Sequence, residues 1–266
     1  MKLRLLGLVL LGLLAYALFL LSSLPAAHAW SLLSRHMPAQ AYGLSGTLWN
    51  GQAAVVLQEQ RRLEAVQWEL RPASLLTGRL GADIQARLPD GRLRSEVVAT
   101  PTGRVTARQL RLDMPAAELV QWAGLAGRLP VQLAGRFDVL MRELVLVDQR
   151  LEQADGLVNW HAANVRFGSL ALPLGDLALR LEPTADGATG GTLVNQGGAV
   201  DLSGTLQIGQ DGRFVLDLTT RARDAVDQDV VPALQLLGIP TDGSPVRGRL
   251  SGNLDGSGLR LEPLEG

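Results

Sequence analysis

The chain has 266 residues, no cysteine and a formal net charge of −1. That length allows one large domain or two small ones, either able to bury a core. The near-neutral balance argues against nucleic acid as a partner, and the lack of cysteine excludes disulfides, thiolate metal sites and a thiol nucleophile.

Lys2 and Arg4 precede an apolar run from Leu5 to Leu21 that carries no charge. A bilayer core of about 30 Å needs roughly 17–25 such residues as a helix. Basic residues on its N-terminal side place the rest of the chain outside the cytoplasm. Two readings of this segment stand. Ala27-His28-Ala29 offers a small-x-small site for cleavage of a signal peptide. The length of the run instead favours an uncleaved anchor, with Trp30 near the outer interface.

Beyond the anchor, period-two alternation dominates. Val131, Leu133, Gly135, Phe137, Val139 and Met141 form one row. Val200, Leu202, Gly204, Leu206 and Ile208 form another, and Phe214, Leu216, Leu218 and Thr220 a third. Such rows are half-buried strands, because successive side chains point to opposite faces. Asp90-Gly91, Asp186-Gly187, Asp211-Gly212 and Asp255-Gly256 punctuate them as turns whose glycine tolerates positive φ. Helices are few. Pro115–Gly124 starts with proline and stops at glycine. Ala225–Leu237 stops at Gly238, with Pro232 as a kink or true start, and Pro72–Leu76 makes a short turn. Gly187–Gly198 reads as a flexible hairpin or thin strand.

The chain also resembles itself. Gly46–Ala53 is similar to Gly156–Ala163, Trp68–Pro72 to Leu179–Pro183, and Leu133–Phe137 to Leu250–Leu254. The expected fold is therefore mostly β: a long curved antiparallel sheet or sandwich-like β domain, built from two similar units with short helices, preceded by one transmembrane helix. Residues 1–30 would be the cytoplasmic stub, anchor and boundary. Residues 31–150 and 151–266 would be the first and second β-rich units.

No catalytic constellation emerges. His28, His36 and His161 have no partner at metal-ligand spacing. Asp224, Asp227 and Asp229 lack the glycine and terminal glutamate of a calcium loop, and read as caps for the following helix. There is no nucleophile elbow, phosphate loop or dinucleotide fingerprint. Arg61-Arg62 reads as a solvated turn, and Trp49, Trp68, Trp122 and Trp160 as packing residues. The expectation is a non-enzyme with no cofactor and no metal.

One arrangement carries a resemblance. A basic stretch and single apolar span lead to Leu24-Pro25-Ala26-Ala27, then to Gly46-Thr47-Leu48-Trp49-Asn50-Gly51. Trp68-Glu69-Leu70-Arg71-Pro72 follows, with Leu75-Leu76-x-Gly78-Arg79-Leu80 after it. The signature residues are Gly46, Thr47, Leu48, Trp49, Gly51, Trp68, Leu70 and Pro72. Over nearly its whole length the chain resembles the type II secretion system protein N family. The resemblance implies a component of the bacterial inner membrane, single-pass, with its C-terminal domain in the periplasm. It would take part in exporting folded proteins across the outer membrane, with other inner-membrane secretion subunits as partners. The alternative is an AsmA-like envelope protein that binds or transfers lipid, which the apolar strand faces also fit.

Overall fold

The computed structural model describes residues 20, 23–33, 39–58, 61–125, 127, 129, 131–224 and 226–264. These are mostly β, with fifteen strands in antiparallel pairs and four short helices. Apart from Leu20, the ends of the Leu5–Leu21 run and most of its length lie outside the described residues. Among the described residues no helix is long and apolar enough to cross a membrane. His36 also lies outside them. The chain divides into two compact units, 1–89 and 90–266.

In the first unit, α1 (Ala26–Leu33) is followed by β1 (Gln40–Tyr42), β2 (Ser45–Gly46), β3 (Asn50–Gln58) and β4 (Arg61–Arg71). Helix α2 (Pro72–Leu75) then leads into β5 (Leu80–Leu88). Both β1 and β2 pair with β3, β3 pairs with β4, and β4 with β5. The buried apolar side chains are small: Ala26, Ala53 and Ala86, with Leu88 at the end of β5. Pro72 holds Arg71 in extended geometry (φ −95°, ψ 98°) while opening the helix behind it, as proline does to its predecessor.

The second unit is a meander. Strands β6 (Gly91–Ala99) and β7 (Arg104–Pro115) precede α3 (Ala116–Trp122). Three long strands follow: β8 (Gln132–Val147), β9 (Arg150–Phe167) and β10 (Leu170–Pro183). Then come β11 (Thr189–Gln196), β12 (Val200–Ile208), β13 (Arg213–Ala222), α4 (Val231–Leu236), β14 (Val246–Asn253) and β15 (Arg260–Leu264). From β6 onward each strand pairs with the next, antiparallel.

The alternation seen in the sequence sorts this sheet into two faces. On one face Leu172, Leu174, Leu177, Val200 and Ala222 form a core that α4 covers with Ala233, Leu234 and the flanking Val230 and Ile239. Val139, Met141, Ala154 and Leu181 form a second cluster on the longer strands, flanked by Phe137, Val158 and Leu206. The opposite face carries cross-strand ion pairs, among them Arg108–Glu143, Arg221–Asp201 and Arg249–Asp217. These are exposed pairs, worth little to stability individually.

Two polar side chains tie the strands together. Thr189 is 1% exposed, and its Oγ1 accepts the Ala154 N–H at 3.1 Å. Asn195 links three strands. Its Nδ2 donates to the carbonyls of Leu174 and Val200 at 2.8 Å, and its Oδ1 accepts the Leu202 N–H at 2.7 Å. Asn195→Ala strands that N–H and should cost about 2 kcal/mol. The check is the urea midpoint of the second unit, read by pulse proteolysis of the full chain.

Several expectations are corrected. Pro232 lies in the first turn of α4, so it is a start and not a kink. The helix is capped by Val230, with no side-chain hydrogen bond, so Asp224, Asp227 and Asp229 are not its caps. Gly187, Gly212 and Gly256 adopt positive φ in hairpin turns, but Gly91 does not. Gly91 instead opens β6 against β7, where a Cβ would lie 2.3 Å from the Asp113 carbonyl oxygen. The glycine-rich stretch is the thin strand β11.

Candidate functional site

The signature residues meet at one end of the first unit. Gly51 and Trp68 are directly opposed on β3 and β4. The indole of Trp68 lies across Gly51, and any Cβ there would stand 2.4 Å from its Cζ2. An aromatic ring thus covers backbone that a strand glycine leaves bare. The Trp68 Nε1–H donates to the Leu48 carbonyl at 2.9 Å. One side chain therefore packs on one half of the Gly-Thr-Leu-Trp-Asn-Gly turn and bonds to the other.

The turn closes on itself. The Thr47 N–H donates to the Asn50 carbonyl at 2.8 Å, and the Asn50 N–H donates to Thr47 Oγ1 at 3.1 Å. Gly46 enters it with φ of +81°, a conformation open to glycine. The Leu70 N–H then donates to the Trp49 carbonyl at 2.6 Å, and two residues later Pro72 starts α2.

The turn also holds the chain arriving from the apolar run. The Leu48 N–H donates to the Leu24 carbonyl at 2.8 Å, and Pro25 bridges Thr47. Helix α1 begins on the next residue, with Ala26 2% exposed. The motifs were visible in the sequence; their mutual contact was not, because strand register sets it. What the corner offers is a fixed mechanical joint between the incoming segment, β3, β4 and α2.

Other sequence candidates stay apart from it. His161 is exposed, with Nδ1 at 3.8 Å from Asp176 Oδ1. Asp224, Asp227 and Asp229 are exposed, and among the described residues no group of three potential ligands could hold a metal ion. Arg62 pairs with Glu64 at 2.8 Å on the surface. Trp49, Trp68, Trp122 and Trp160 are all half-buried. Trp160 stacks on Phe137 with ring centroids 5.1 Å apart and donates Nε1–H to the Ala134 carbonyl. A hollow of about 340 Å³ is largely apolar, with Leu193, Val194 and Leu218 beside Thr192, Asp217 and Arg247, and one of about 380 Å³ is polar, lined by Ser45, Asn50, Gln52 and Gln67.

Titration is shifted at few groups. Burial, then the neighbouring Asp90, raises the Glu118 carboxyl above its ordinary value. Its folded form therefore binds a proton more readily than the unfolded chain. The contact of α3 with Asp90, in the second unit, gains stability as pH falls through the raised value and loses it as pH rises. The Arg249 hydrogen bond lowers Asp217, so that pair contributes above the ordinary aspartate range and is lost on acidification.

Sheet edges are the remaining chemical feature. Among the described residues β15 pairs only with β14, and β1 only with β3. On β15, Leu261 is 62% exposed. An unpaired edge presents backbone N–H and C=O groups to any strand that docks.

Comparison with known proteins places these features in context. The family model described as "Type II secretion system (T2SS), protein N" matches residues 38–249. A relative from Aeromonas hydrophila, named Type II secretion system protein N, is 28% identical over 236 residues, 86% of this chain and 91% of its own length. Another of that name, from Vibrio cholerae serotype O1 (strain ATCC 39315 / El Tor Inaba N16961), is 32% identical over 154 residues, 57% of this chain and 60% of its own. No solved structure matches.

Proposed function

The chain belongs to the type II secretion system protein N family, and from that membership we propose that it is a non-enzymatic inner-membrane component of the secretion pathway. In this reading the Leu5–Leu21 run is a single-pass anchor and the β-rich units lie in the periplasm. The observation that carries the reading is the signature corner. Its residues build a joint for the segment leaving the apolar run.

The joint also bears on processing. Cleavage after Ala29 would remove Leu24, whose carbonyl accepts the Leu48 N–H, and Pro25, which sits opposite Thr47 in a β-bridge. It would cut inside α1 as well. The protein isolated from its native membrane should therefore keep the intact mass of the uncleaved chain. A mass lacking residues 1–29 would remove the anchor from the reading.

Neighbouring secretion subunits would dock by adding a strand to a free sheet edge, with main-chain hydrogen bonds supplying affinity. The units 31–150 and 151–266 stand in this proposal as a duplication, supported by two helices that both end at a positive-φ glycine, Gly124 and Gly238. A photo-crosslinking residue in place of Glu262, exposed on β15, should capture inner-membrane secretion subunits from native membranes. Pull-down of the full chain that recovers phospholipid and no such subunit would replace this reading with the lipid-carrier alternative.

A further inference from the structure

Helix α2 buries none of its residues, yet its end is apolar. Leu75 is 47% exposed, Leu76 90% and Leu80 46%. Isolated surface leucines are ordinary; three within six positions at one tip form a patch. Arg79 sits among them, exposed.

The position of this patch follows from hydrogen bonds already described. Leu24 is three residues past the end of the apolar run, a reach of about 10 Å at full extension. Its carbonyl accepts the Leu48 N–H. The next residue, Trp49, accepts the Leu70 N–H, and α2 starts two residues later. The leucine tip and the entry of the apolar run therefore share one end of the first unit. The paired ends of β3 and β4 at Gln58 and Arg61 lie at the opposite end, about 25 Å along the strands.

We propose that the Leu75–Leu76 tip, with Leu80 and Arg79, is a second membrane contact, seated in the interface of the bilayer that the Leu5–Leu21 run enters. The proposal rests on the anchor reading above. Leucines at such a tip bury apolar surface among the acyl chains, while a neighbouring arginine meets lipid phosphate. The joint supplies the reason for this occupant. With three residues of slack, this end of the unit is already at the bilayer, so little further ordering is needed for contact. One span leaves a domain free to swivel; a second contact fixes its tilt.

The chain has no cysteine, so single-cysteine variants of the full-length protein can each carry one fluorophore. The variants Ala15→Cys, Leu76→Cys and Arg62→Cys are reconstituted in vesicles of phosphatidylethanolamine and phosphatidylglycerol. Depth is read with lipids brominated at known carbons. The label at 15 should lie in the hydrocarbon, and the label at 76 roughly 5–10 Å below the headgroup boundary. The label at 62 should remain in water. Quenching at 15 with none at 76 overturns the proposal and leaves the anchor intact. No quenching at 15 overturns the anchor reading and the proposal with it.

Discussion

Gly51→Val is expected to open the signature corner. The new Cβ would lie 2.4 Å from the Trp68 ring and 2.7 Å from the Thr47 carbonyl oxygen. A ring can tilt, but the carbonyl belongs to a turn closed by two hydrogen bonds. Over-packing of this kind costs about 3 kcal/mol when backbone must move. Hydrogen exchange of the full chain should show residues 45–58 and 66–71 exchanging faster by the matching factor, with the second unit unchanged. Trp68→Ala removes the ring, its Nε1–H bond and the cover over Gly51, and should cost about 3 kcal/mol by itself. The double variant should fall short of the sum, because the ring clash vanishes while the Thr47 clash stays. Unchanged exchange in Gly51→Val would mean the corner is not the joint described.

Leu234→Ala is the corresponding test of the second unit. Leu234 is fully buried, held among Val200, Ala222 and the leucines of β10. Its truncation leaves a cavity beneath a helix of six residues that has no side-chain cap of its own. The expected cost is about 3 kcal/mol, with α4 lifting from the sheet if the cavity does not close. Leu236, two residues along and 61% exposed, is the control. Leu236→Ala should stay within about 0.5 kcal/mol of the parent. Equal effects at the two positions, by pulse proteolysis in urea, would contradict the packing of α4.

Some structure was legible because it is written locally. Rows such as Val200–Ile208 became strands, since a period of two needs only neighbouring residues to be read. Pro115 and Gly124 bracketed α3 for the same reason. The hairpin between β8 and β9 was not legible. Its turn residues are Asp148 and Gln149, both at positive φ without glycine, so no punctuation announces it. Asn195 looked like any polar strand residue until three strands brought its partners within 3 Å. The acidic run before α4 looked like a cap from sequence proximity, but it meets the helix start through the Asp227 backbone carbonyl, which accepts the Val230 N–H, and no side chain caps the helix.

Composition and periodicity determined by themselves that this is a β-rich chain with an apolar run ahead of it, and the quoted motifs carried the resemblance to the protein N family that the family match bears out. These properties depend on residue type and short spacing, which a linear text preserves. The tertiary structure alone decided that Trp68 covers Gly51, that Leu48 holds Leu24, and that Leu76 is left bare beside that joint. The first two depend on register between strands, where a shift of one residue would turn every side chain to the other face, and the third on what packs against α2, which no local pattern records.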